Sequence, residues 1–121
     1  MFEHIALIEK EARIGSRVTC NPAPIDTDDD RLVLTDDPED LHNVLKGLGW
    51  ECTRDPRYEH DDTSDFRTFR KGEVNLIVTD SLTFFDLFML STRIATELNI
   101  MNKSMRKRLF QAILYQKDFN E

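Results

Sequence analysis

The chain has 121 residues, enough for one domain with one buried core, and 40% of them are hydrophobic while 32% are charged. No apolar run approaches the ~20 residues that span a bilayer, so no membrane partner is expected. The formal net charge of −7 argues against a general nucleic-acid binder, because phosphate recognition needs clustered Lys and Arg.

The charge is uneven. Asp and Glu crowd positions 26–40 and 59–65, while Lys103, Arg106, Lys107 and Arg108 form a basic cluster near the C-terminus. The opening segment MFEHIALIEKEARIG lacks the basic-then-apolar layout of a signal peptide, which makes a reducing cytoplasm the expected compartment. Cys20 and Cys52 lack C-x-x-C spacing and read as thiols, not as a disulfide framework or zinc site.

In chain order, residues 2–12 read as an amphipathic helix with Phe2, Ile5, Ala6 and Ile8 on one stripe. Ala12 to Gly15 reads as a strand end, and Arg17 to Ile25, with Pro22 and Pro24, as loop. Arg31 to Thr35 is a compact strand of aliphatic and β-branched residues. Asp36-Asp37-Pro38-Glu39-Asp40 is a helix start, since carboxylates and an early proline suit the positive helix end. Leu41, Val44, Leu45 and Leu48 continue that helix until Gly47 and Gly49 end it. A second strand begins at Trp50, and Arg54 to Ser64 is a long polar loop.

Phe66 to Arg70 and Val74 to Thr79 form a hairpin around Lys71-Gly72-Glu73, the second arm being a central strand. Asp80 or Ser81 caps a long helix with Phe84, Phe85, Phe88, Leu90, Ile94 and Leu98 inside, closed by Asn99. Asn102 or Ser104 caps a last helix that buries Met105, Leu109, Ile113 and Leu114. The expected architecture is α+β: residues 1–121 as one domain, with one mixed sheet covered mainly on one face by helices.

One constellation carries chemistry. Gly15-Ser16 lies at a strand-to-turn junction, where glycine lets backbone approach a phosphate and the following amides and hydroxyl can donate to its oxygens. Asp28 and Asp30 are two apart and point to one side of an extended chain. Two neighbouring carboxylates repel unless a cation lies between them, and hard oxygen ligands suit Mg²⁺ or Mn²⁺ bridged to nucleotide phosphates.

The segment GSRVTCNPAPIDTDDDRLVL resembles the nucleotidyltransferase superfamily of DNA polymerase beta, especially its minimal single-domain members. The segment from Val74 to Tyr115 is similar to small nucleotidyltransferase-like proteins of tailed bacteriophages. The resemblance implies a nucleotidyltransferase-like mixed sheet that binds a nucleoside triphosphate with Mg²⁺ or Mn²⁺ and moves a nucleoside monophosphate onto an acceptor hydroxyl. It assigns Gly15, Ser16 and Arg17 to the phosphates and Asp28 and Asp30 to metal. It places the family's third carboxylate at Asn75, an amide that is a poor base, and leaves Glu73, two residues earlier, as the substitute. The acceptor stays open among RNA, a host protein and a small molecule, and a homodimer or partner would complete the cleft. The rival expectation is a catalytically inactive relative that works by binding a host protein.

Plainer readings apply elsewhere. Glu59-His60-Asp61-Asp62 reads as solvated loop, not as a metal site, and His4 and His42 as surface or helix-end residues. Asp26, Asp28 and Asp30 have the alternation of a calcium loop, but Arg31 stands where that loop needs glycine. The basic cluster of the last helix reads as a solvated face, or as a contact with RNA or a nucleotide phosphate.

Overall fold

The computed structural model describes residues 5–22, 28–54 and 66–115. In chain order the elements are β1 (Lys10–Ile14), α1 (Ser16–Thr19), β2 (Asp29–Leu34), α2 (Pro38–Gly47), β3 (Glu51–Arg54), β4 (Phe66–Lys71), β5 (Val74–Thr79), α3 (Leu82–Glu97) and α4 (Lys103–Tyr115). The strands form one sheet in the order β1-β2-β5-β4-β3. Only β2 and β5 run parallel, and the other three joins are antiparallel, so the sheet is mixed.

Local chemistry sets these elements. Asp37 caps α2 by accepting from the Asp40 amide at 3.1 Å, with Pro38 in the first turn. Ser81 caps α3 through the Phe84 amide, and Asn102 caps α4 through the Met105 amide. Asn99 ends α3 with φ 47°, a left-handed conformation that asparagine tolerates better than most residues. Its side chain also accepts from the Asn21 amide and donates to the Asn21 carbonyl, tying the exit of α1 to the end of α3.

Helices cover both faces of the sheet, α2 on one and α1, α3 and α4 on the other, so the cover lies mainly on one face, as expected. Strand residues alternate between two cores. On one face Val33, Phe69, Leu76 and Val78 pack with Leu41, Leu45 and Trp50 beneath α2. On the other, Leu32, Leu34 and Ile14 pack with Phe84 and Phe85 of α3. β2 and β5 read as near-continuous apolar runs because each must satisfy both cores. The result is an α+β fold built on a five-stranded mixed sheet.

The helix expected over 2–12 is overturned across the described residues. Ile5, Leu7 and Ile8 lie in a turn packed against the α2-side core, and Lys10 onward is the edge strand β1. The period changes at that point. Ala12 and Ile14 alternate inward with period two, while Glu11 turns the other way to meet Arg31 at 2.7 Å. Pairing with β2 supplies hydrogen bonds that a short isolated helix would have had to find alone.

Other details also shift. His42 is buried, not at the surface: Arg67 donates to its Nδ1 at 2.9 Å and to Glu39 at 2.6 Å, and its ring edge meets Phe69. Val44 and Leu48 of α2 are exposed, as are Leu90 and Leu98 of α3 and Met105 of α4. Small residues take the inner side of α3 instead. Ser91, Thr92 and Ala95 are buried where α1 and α4 come close, and both hydroxyls donate back to helix carbonyls. Arg17 to Thr19, expected as loop, join Ser16 in the helical turn α1. Neither Cys20, which is buried, nor Cys52 is in a disulfide. Among the described residues no helix is long and apolar enough to cross a membrane. His4, Asp26 and the loop cluster Glu59 to Asp62 lie outside the described residues.

Candidate functional site

The antiparallel and parallel registers place Ile14, Asp30, Asn75 and Arg70 opposite one another across four strands. Residues in register share a sheet face, so this rank lies on the side of α3 and α4. The next rank inward contains Leu32, Ile77 and Thr68. A cleft of about 1010 Å³ opens above these ranks, with the sheet as floor and α1, the α3–α4 link and the first turns of α4 as walls.

Gly15 and Ser16 stand at one rim, between the end of β1 and the start of α1. Gly15 has φ 82°, and a Cβ there would lie 2.9 Å from both Cβ and Cγ of Asp30 while meeting the carboxylate itself. Only glycine fits, on two independent counts: the left-handed backbone and the space. The turn that can cradle a phosphate is thus pressed directly onto a carboxylate that can hold its cation.

Asp28 and Asp30 both line the cleft, as their spacing predicts. Asp29 between them points away and is held by Arg31 in a two-pronged pair, both contacts 3.0 Å. The three carboxylates differ electrically. Burial pushes the Asp30 carboxyl above its ordinary range, opposed by a hydrogen bond from Asn75 and reinforced by the negative charges of Asp28 and Asp29. The Arg70 guanidinium hydrogen-bonded to Asp28 holds that carboxyl below the usual range, as Arg31 does for Asp29.

Asn75 occupies the position expected for a third carboxylate, beside Asp30 in the parallel register. Glu73 does not replace it. Its side chain is 86% exposed in the hairpin turn, 3.8 Å from Arg17, and is not part of the cleft lining. Arg17 is near enough for its charge to lower Asp28 and Asp29 further. Among the described residues no group of three or more His, Cys, Asp or Glu side chains could hold a metal ion. Among the described residues the oxygen donors lining the cleft are the carboxylates of Asp28 and Asp30, the Asn75 amide and the hydroxyls of Ser16, Thr19 and Thr68. That set fits one Mg²⁺ or Mn²⁺, provided Arg70 swings off Asp28, and it is thin for a second ion.

Two groups escaped sequence reading or were left open by it. Arg70 forms a two-pronged pair with Asp28, at 2.8 and 3.2 Å, because β4 pairs it with Asn75. The alternation of Phe66 to Arg70 together with the hairpin register would have pointed to it. The basic cluster of α4 divides: Lys103, Arg106 and Lys107 line the cleft, and Arg108 does not. Phe110 on α4 and Phe88 on α3 complete an apolar end, with ring centroids 5.0 Å apart.

No protein-family model matches the sequence, and no curated protein matches it. Among solved structures the chain is similar to the crystal structure of the conserved protein GrpB from Enterococcus faecalis. The TM-score is 0.55 at 17% identity, covering 97% of this chain and 86% of that one. The likeness at this identity is one of fold.

Proposed function

We propose that this chain is a minimal nucleotidyltransferase-like protein that takes the phosphates of a nucleoside triphosphate into the cleft between the sheet and α4. The contact of Gly15 with Asp30 carries this reading. A phosphate turn and a partly buried carboxylate share one rim, and that contact leaves no room for a side chain on the turn. Gly15 and Ser16 would donate to the terminal phosphates, and Arg17 stands close by. Asp28 and Asp30, with the Asn75 carbonyl oxygen, would hold Mg²⁺ or Mn²⁺. When bound, the ion supplies positive charge to the phosphates and to a departing pyrophosphate.

In transfer, an acceptor hydroxyl would attack the α-phosphorus, the bond to the bridging oxygen would break, and pyrophosphate would leave with its charge. The hydroxyl proton needs a base, and Asn75 cannot serve. This favours a second reading in which the same cleft holds a nucleotide without transferring it, and the protein acts through a partner.

Titration calorimetry with Mg²⁺–ATP on the intact chain and on the double variant Asp28→Ala, Asp30→Ala tests the site: equal heats from both would sink it. Pyrophosphate release from nucleotides mixed with cell extract then separates transfer from binding alone.

A further inference from the structure

Among the described residues that line the cleft, cations outnumber carboxylates, although the chain as a whole carries −7. Among the described residues its walls present Asp28 and Asp30 against Lys103, Arg106 and Lys107, and Arg70 is clamped on Asp28 as a further cation. A metal-dependent phosphate site ordinarily starts from an excess of carboxylates, which the ion then reverses. Here Asn75 has removed one carboxylate from the floor, and α4 has brought ammonium groups to the wall.

The α4 cations divide by role. Arg106 Nη1 donates to the Ile100 and Met101 carbonyls at 2.9 and 2.7 Å and contacts the Cys20 sulfur at 3.1 Å. It therefore fastens the α3–α4 link to the end of α1. Lys103 and Lys107 are four apart on α4, one turn above the other, and face the same cleft. Lys103 is near enough to Asp28 for its charge to be felt there. Lys103 and Lys107 thus line the same cleft as the Gly15-Ser16 turn, and two cations one helical turn apart can each meet a different phosphate of a chain.

We infer that the cleft binds the polyphosphate of a nucleotide without a divalent ion, Lys103 and Lys107 supplying the counter-charge. This rests on the reading that the cleft takes nucleotide phosphates, and deepens it by changing what recognises them. Lysine ammonium groups are mobile point charges that follow a polyphosphate without fixed geometry. They neutralise it for binding but do not orient it for in-line attack as coordinated metal does.

The test is titration calorimetry of the full chain with ATP and with inorganic tripolyphosphate, each in EDTA and in excess Mg²⁺. Both probes should bind in EDTA, and binding should weaken as salt rises. The double variant Lys103→Ala, Lys107→Ala should lose on the order of tenfold to a hundredfold in EDTA, the effect of removing two charge-assisted contacts. Lys103→Arg, Lys107→Arg should retain binding. Both lysines are exposed and alanine favours helix, so circular dichroism should show an unchanged fold. ATP binding only in Mg²⁺ would overturn the inference while leaving the proposed function standing. Binding in neither condition would overturn both. Tripolyphosphate failing in EDTA, or lysine variants binding like the parent, would also refute it.

Discussion

Asn75 stands directly opposite Asp30 in the parallel join of β2 and β5, and its amide hydrogen-bonds the Asp30 carboxyl. An aspartate at 75 would put two carboxylates in that contact. Asn75→Asp should therefore melt at lower temperature in EDTA, by roughly 1–3 kcal/mol in stability, because a hydrogen bond becomes a repulsion. Mn²⁺ should restore the melting temperature and bind more tightly than to the parent. A melt insensitive to Mn²⁺ would show that the Asp28 and Asp30 pair is not a metal site. Pyrophosphate release appearing with this variant would mark the parent as a degenerate enzyme.

On the proposed reading, a divalent ion would compete with Arg70 for the Asp28 carboxylate. In Arg70→Gln the Asp28 carboxylate loses its two-pronged partner and becomes available as a ligand. Mn²⁺ affinity, read by titration calorimetry or by quenching of the free-ion paramagnetic signal, should rise severalfold. The fold should be little affected, since both side chains are about two-fifths exposed. Unchanged or weaker Mn²⁺ binding would mean that Arg70 does not guard the site.

Gly15→Ala tests the packing at the rim. The new Cβ meets Asp30, and the backbone at φ 82° is one that alanine resists. A loss of roughly 1–3 kcal/mol in urea unfolding is expected from the backbone alone, with further loss from the collision. Asp30→Gly in the same chain should relieve the collision but not the backbone cost. The two substitutions should thus be non-additive in a double-mutant cycle. Additive losses would mean that the two residues do not touch.

The α2 face provides a control. Arg67 can only donate, so His42 Nδ1 is the acceptor in their contact. His42→Ala removes that acceptor, leaves a buried guanidinium short of a partner and opens a gap beside Phe69. Stability should fall by about 2–4 kcal/mol. Nucleotide affinity at a temperature where the variant is folded should match the parent, because the cleft lies on the opposite face. A parallel loss of affinity would put the binding site elsewhere.

Much of this was legible in residues whose chemistry is local. Asp37-Pro38, Ser81 and Asn102 announce helix starts because capping depends on neighbours within one turn. The spacing of Asp28 and Asp30 likewise foretells a shared face, because strand alternation is a property of the backbone. What depended on distant partners was not readable. Lys10 and Glu11 belong to a strand because β2 is there to pair with them, whereas the stripe of residues before them continues a plausible helix. His42 is buried because Arg67, from β4, reaches its ring. Lys103 and Lys107 of α4 reach the cleft through helix docking, which no window of sequence contains.

The join of β2 to β5 has a consequence in time. It links Asp30 to Asn75 across 45 positions of chain, whereas β4 and β5 are neighbours in a hairpin. Local pairings close quickly, and distant parallel ones wait on loop closure. The floor of the cleft is therefore assembled at one of the last seams to zip. Contacts that form late weigh on unfolding more than on refolding, so changes at Asp30 and Asn75 should register mainly in the unfolding rate followed by stopped-flow fluorescence of Trp50.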